Sequence, residues 1–122
     1  GNRWGVRVML EGKVEGRFIL DTGASVSQSS KKMAARLKIK SGSARVVPVS
    51  LAGGGVVPGH AVILNEVDAG GAAVEHVNAI VLDYTNQGLR DGLLGMSFLE
   101  NFIFEVDAKK ARLVLKKRSV AP

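Results

Sequence analysis

An apolar run, Phe18-Ile19-Leu20, that leads directly into Asp21-Thr22-Gly23-Ala24-Ser25 restricts the fold of this chain more than any other segment. Apolar β-branched and aromatic side chains favour a strand, whereas Asp, Thr and Gly favour the turn that ends one. A strand finishing in Asp-Thr-Gly sets a carboxylate at the mouth of a sheet, and the small residues behind it let a second backbone approach. One such carboxylate is half of an acid-base pair. The tripeptide alone does not distinguish this from an ordinary turn, since chance supplies it in about one chain in a hundred of this length.

The chain has 122 residues, the size of one domain able to bury its own core, and we expect a single domain over residues 1–122. Fifteen glycines stand against four Phe, one Trp and one Tyr, and Val, Ile and Leu fill the apolar runs, which predicts an all-β architecture with many turns. Residues 4–11 and 14–20 read as a hairpin turning near Gly12. Ser29 or Ser30 is expected to cap a short helix that runs to Leu37, with a polar connection over residues 39–43. Residues 46–51 and 56–64 read as the arms of a long hairpin around Ala52-Gly53-Gly54-Gly55, the second arm bent and exposed at Pro58 and Gly59. Beyond a turn at residues 68–71 come a strand over 73–82, a loop at 86–88, and one or two helical turns over 96–101. A last hairpin pairs residues 102–106 with 111–115.

Several function classes fall away. The chain has no cysteine, which removes disulfides, thiol nucleophiles and thiolate metal ligands. The triple glycine leads into Val56-Val57-Pro58 instead of Gly-Lys-Ser/Thr, so it is no phosphate loop; a mobile hairpin tip fits it better. His60 and His76 have neither a Gly-x-Ser-x-Gly elbow nor a third ligand at metal spacing, and they read as surface strand residues. Of the formal charge of +6, much lies in Lys109, Lys110, Arg112, Lys116, Lys117 and Arg118. No aromatic residues interleave with them, so a solvated hairpin is the preferred reading over a nucleic-acid or anionic-membrane patch. No segment has the length of a membrane-spanning helix or the pattern of a signal peptide. Gly1 in place of Met is expected of a piece of something longer, whose upstream part would hold any targeting segment or anchor.

The second informative segment is Gly92-Leu93-Leu94-Gly95, continuing as Met96-Ser97-Phe98-Leu99. Alone it is a buried strand between turns. Paired with the upstream Asp-Thr-Gly-Ala-Ser, it resembles the retropepsin-like aspartic proteases, and within them the bacterial branch. The resemblance covers almost the whole chain, with hairpin, Asp-Thr-Gly turn, glycine-tipped flap and final strands in family order.

That resemblance implies a closed β-barrel of the acid-protease half-domain kind, with a flap hairpin and one or two short helices. It implies an aspartic endopeptidase acting on peptide or protein substrates, with no cofactor, no metal and no nucleic-acid partner. A bacterial envelope or periplasmic setting is likewise only an implication of the resemblance. Because the chain carries one Asp-Thr-Gly, the catalytic pair would be Asp21 and its symmetry mate in a homodimer. Thr22 would hydrogen-bond across the dimer, Gly23 would admit the close approach, and Ala24 and Ser25 would complete the loop. Leu93, Leu94 and Gly95 would back that loop. Leu51, Ala52, Gly53, Gly54, Gly55 and Val56 would form the flap tip; with no aromatic residue there, substrate contact would run mainly through backbone. Ala24 lacks the hydroxyl that pepsin-like enzymes commonly place beside the carboxylate, so a mildly acidic optimum is expected in place of a strongly acidic one. Alternatives stay open: Asp83 or Asp91 as a second carboxylate within the chain, a non-cleaving peptide-binding module of the same fold, or a basic adaptor docking through the C-terminal hairpin.

Overall fold

A computed structural model gives the fold and describes residues 4–40, 44–51, 53–82, 91–107, 109–110 and 112–118. Nine strands and two short helices follow one another in it: β1 (Trp4–Leu10), β2 (Val14–Leu20), β3 (Ser27–Ser30), α1 (Lys31–Arg36), β4 (Val46–Ser50), β5 (Val56–Ala69), β6 (Ala72–Leu82), β7 (Gly92–Leu94), α2 (Met96–Leu99), β8 (Phe102–Asp107) and β9 (Arg112–Lys117). The main sheet runs β1-β2-β7-β3-β6-β5-β4, and β1 also pairs with β5. That extra pairing closes six strands into a barrel and leaves β4 as an arm on the outside of β5. β8 and β9 form a separate two-stranded sheet. The all-β expectation, with its closed barrel and short helices, holds.

Alternation along the strands explains the core. In β1, Val8 and Leu10 are buried while Arg7 and Met9 face out; in β2, Gly16 and Phe18 are buried between exposed Glu15 and Arg17. Phe18, Leu64, Val67, Val77, Leu94 and Phe98 meet in one cluster inside the barrel. Phe98 and Phe102 close its end with ring centroids 5.0 Å apart and tilted by 41°. Met33 of α1 reaches the same cluster, helped by Gly16, where a Cβ would come 2.7 Å from its terminal methyl.

Three local departures from the sequence reading have physical causes, and one open choice is decided. β3 goes unread because Ser27-Gln28-Ser29-Ser30 has no β-branched or aromatic residue; the strand forms because β6 and β7 pair with it from either side. Of the two candidate caps, Ser30 is the one used, its hydroxyl accepting from the Met33 N–H at 3.0 Å. Ile39, assigned to a polar connection, packs half-buried against the core. β5 does not stop at Pro58 and Gly59 but runs on to Ala69. Pro58 stands opposite Pro48 in the β4–β5 register, where two residues without N–H groups cost the ladder little. Gly59 is buried, because a Cβ there would strike Ile80 and Val49. The loop expected at residues 86–88 lies outside the described residues.

Candidate active site

β7 lies between β2 and β3, parallel to the first and antiparallel to the second. The chain leaving β2 at Leu20 must therefore pass over the end of β7 before it enters β3. Asp21 to Val26 make that passage. Asp21 N–H donates to the Leu94 carbonyl at 2.9 Å, and Ala24 N–H donates to the Asp21 carbonyl at 3.2 Å. From the other side, Met96 N–H donates to the Ala24 carbonyl at 2.7 Å and Ser97 N–H to the Ser25 carbonyl at 3.0 Å. Gly95 makes the contact possible, since a Cβ would come within 2.6 Å of the Ala24 carbonyl oxygen and 2.7 Å of that of Val26. Leu94 is fully buried and Leu93 nearly so. The two sequence motifs, separated by some seventy residues, are thus one hydrogen-bonded unit.

The front of the loop is open. Asp21, Thr22 and Gly23 are all exposed. The Asp21 carboxylate accepts from Gly23 N–H through Oδ1 at 2.9 Å, an Asx-type contact that fixes the side chain over its own turn.

Behind the loop sits a polar relay that the sequence reading missed. Ser27 is buried, and its Oγ accepts from Gly95 N–H at 3.0 Å. Ser97 Oγ accepts from Ser27 N–H at 3.0 Å and donates to the Asn78 carbonyl at 2.7 Å. The two hydroxyl oxygens are 2.9 Å apart. Ser97 has given its proton to Asn78, so Ser27 donates in that contact. Every donor and acceptor is used, and β3, β6 and the start of α2 are bound together behind Asp21. A serine at alternate strand positions is a weak signal in sequence, because it reads equally well as a solvent-facing residue.

The glycine-tipped hairpin forms as read. Leu51 N–H donates to the Gly55 carbonyl and Gly54 N–H to the Leu51 carbonyl, both at 3.0 Å. Gly54 and Gly55 have φ of 98° and 88°, which glycine alone adopts without strain. Gly53, Gly54, Gly55 and Val56 are exposed and Leu51 is half-buried; Ala52 lies outside the described residues.

A sequence profile of the family described as aspartyl protease matches residues 6–98, from β1 to α2. The chain belongs to that family. Among solved structures, the crystal structure of a retropepsin-like aspartic protease from Rickettsia conorii superimposes with a TM-score of 0.73 and 26% identity, over 93% of this chain and 81% of that one. Comparison with curated proteins gave no match.

Within this aspartyl protease fold the other candidates take ordinary places. Asp91 enters β7 at the end opposite Asp21: it pairs with Arg17, its Oδ2 accepting from Arg17 N–H at 2.8 Å and its N–H donating to the Arg17 carbonyl at 3.1 Å. Four residues of strand, about 13 Å, separate Arg17 from Asp21. Asp91 therefore fastens β7 and does not meet the Asp21 carboxylate; Asp83 lies outside the described residues. His76 is an exposed strand residue with φ of 56°, and His60 is half-buried in β5. Among the described residues no cluster of three or more His, Asp or Glu could hold a metal ion, and no helix is long and apolar enough to cross a membrane.

Proposed function

We propose that the chain is an aspartic endopeptidase whose active unit is a symmetric homodimer, with Asp21 of each copy facing the other across the two-fold axis. One observation carries this reading: Asp21 sits on a loop hydrogen-bonded throughout its rear and exposed along its front, while Asp91 is held beside Arg17 at the opposite end of β7. A loop built in that way suits close apposition with its own copy, the isologous contact of a C2 dimer.

The chemistry follows from the pairing. Two carboxylates about 3 Å apart repel by several kcal/mol even at an effective dielectric near 20, so the pair holds one proton between them. The ionised partner takes a proton from a bound water as that water attacks the peptide carbonyl carbon, and the protonated partner donates to the carbonyl oxygen. As the C–N bond of the tetrahedral diol breaks, the departing amine takes up the proton of the pair and one diol hydroxyl returns its proton to the pair, with no covalent enzyme intermediate. In this reading Thr22 links the two loops across the axis, Gly23 leaves them room, and Ala24 and Ser25 hold the turn through carbonyls bonded to α2. The hairpin tip over residues 51–56 closes on an extended substrate through backbone hydrogen bonds.

The test is cleavage of an unfolded protein by the wild-type chain and by Asp21→Asn, with molar mass measured across a concentration series. Cleavage lost in the variant, with dimer formation tracking activity, is the expected result. Full activity in a strict monomer would overturn the symmetric pair. Peptide binding without cleavage by the wild-type dimer would point instead to a binding module of the same fold.

A further inference from the structure

Away from the flap, the barrel is not fully zipped. β1 pairs with β2 along its whole length but with β5 only at Met9 and Leu10. Backbone groups of alternate strand residues point to the same side. Glu11 N–H donates to the Glu66 carbonyl across the β1–β5 seam, so Met9, Arg7 and Gly5 turn their N–H and C=O groups toward that seam as well. Beyond Met9 the seam opens. Among the described residues no strand pairs with Gly5 or Arg7 on this side.

The opening is a groove of about 810 Å³ between the start of β1, the β5–β6 turn and the β8–β9 hairpin. Leu20, Phe102 and Leu115 give it apolar walls, and Trp4 also lines it. Among the described residues, Arg7, Arg112 and Lys117 also line it, and no Asp or Glu does. Arg7 lies 3.8 Å from Glu15 outside the groove, with both side chains largely exposed, so Arg112 and Lys117 supply most of the uncompensated charge.

An open strand edge, apolar walls and a cationic rim select a particular kind of occupant. We infer that this groove is a docking site for an extended peptide in which acidic and apolar residues alternate, added as a strand along Gly5 and Arg7. The edge supplies main-chain hydrogen bonds, alternate side chains of the peptide enter the apolar trough, and those between them meet Arg112 and Lys117. An isolated lipid chain would use the walls but not the edge. The site is distinct from the Asp21 loop and does not depend on the proposed catalysis, although Leu20 belongs to the wall and directly precedes Asp21.

Trp4 is the single tryptophan of the chain, so its emission reports on this groove alone. The test uses the full chain carrying Asp21→Asn, so that cleavage does not consume the probe, titrated with an acetylated and amidated Glu-Val-Glu-Val-Glu peptide. The expected result is a saturable blue shift, weakened about tenfold or more by the double substitution Arg112→Glu and Lys117→Glu. Methylating alternate peptide nitrogens should abolish the shift while leaving composition and charge unchanged; this comparison needs no protein variant. An unchanged response to the methylated peptide, an equal response to Lys-Val-Lys-Val-Lys, or no response at all would each overturn the proposal. A shift produced by raising protein concentration without peptide would also overturn it, by showing that a second copy fills the groove.

Discussion

The Asp21 carboxylate accepts from Gly23 N–H, and asparagine keeps the oxygen that does so. Asp21→Asn should therefore fold with an unchanged melting temperature and lose about 10²–10⁴-fold in turnover, the span associated with a missing acid-base group, as kcat measurements will show. Ala24 makes the converse test. In the proposed dimer a hydroxyl at position 24 would donate to the ionised pair, so Ala24→Ser should move the pH-rate profile to lower pH; a profile that stays in place would remove that role from position 24. Ser97 is different in kind, because it acts behind the loop. Ser97→Ala strands the buried Ser27 N–H and the Asn78 carbonyl, and urea unfolding should register a loss of about 1–3 kcal/mol. Of these residues, Asp21 and Ala24 were legible in the sequence because they belong to a recognisable turn. Ser27 and Ser97 were not, since their partners come from three different elements.

At the level of elements, the strand β7 is short for the structure it organises. Its three residues join β2 to β3 and present the Leu94 carbonyl to Asp21, and Gly95 then brings α2 against the loop. Gly95→Ala must push the Ala24 and Val26 carbonyls away, with an expected destabilisation of about 1–3 kcal/mol and a parallel fall in kcat. Thermal unfolding and turnover measured on the same preparation check both. Strand β3 shows the limit of propensity: four polar residues form a strand because hydrogen-bonding partners wait on both edges. The continuity of β5 through Pro58 and Gly59 teaches the same point, since the opposing Pro48 and the packed Ile80 decide what those residues do.

For the molecule as a whole, the barrel encloses its core but leaves the Asp21 loop exposed, which makes the proposed activity a property of concentration. Specific activity should rise with protein concentration over the range in which molar mass doubles. An excess of Asp21→Asn chain should depress wild-type activity by capturing it in mixed dimers, whereas a chain active as a monomer would be indifferent to the addition. The basic residues of the C-terminal hairpin also take on meaning only at this scale. In sequence they form a charge run; in the fold, Arg112 and Lys117 line a groove with the open edge of β1, while Arg118 turns back so that its Nε donates to the Phe102 carbonyl at 3.3 Å.

The amino-acid order was enough to specify the strand that ends in Asp21, the glycine-tipped hairpin and the all-β class, because each rests on contacts within a few residues or on side-chain periodicity; the partnership of that strand with Gly92 to Gly95 was legible only through the resemblance to a known family. The threading of β7 between β2 and β3, the serine relay behind the loop, the anchoring role of Asp91 and the unzipped seam beside β1 depended on the folded chain. Each arises from hydrogen bonds between segments tens of residues apart, and a linear pattern carries no record of which distant backbone groups will find one another.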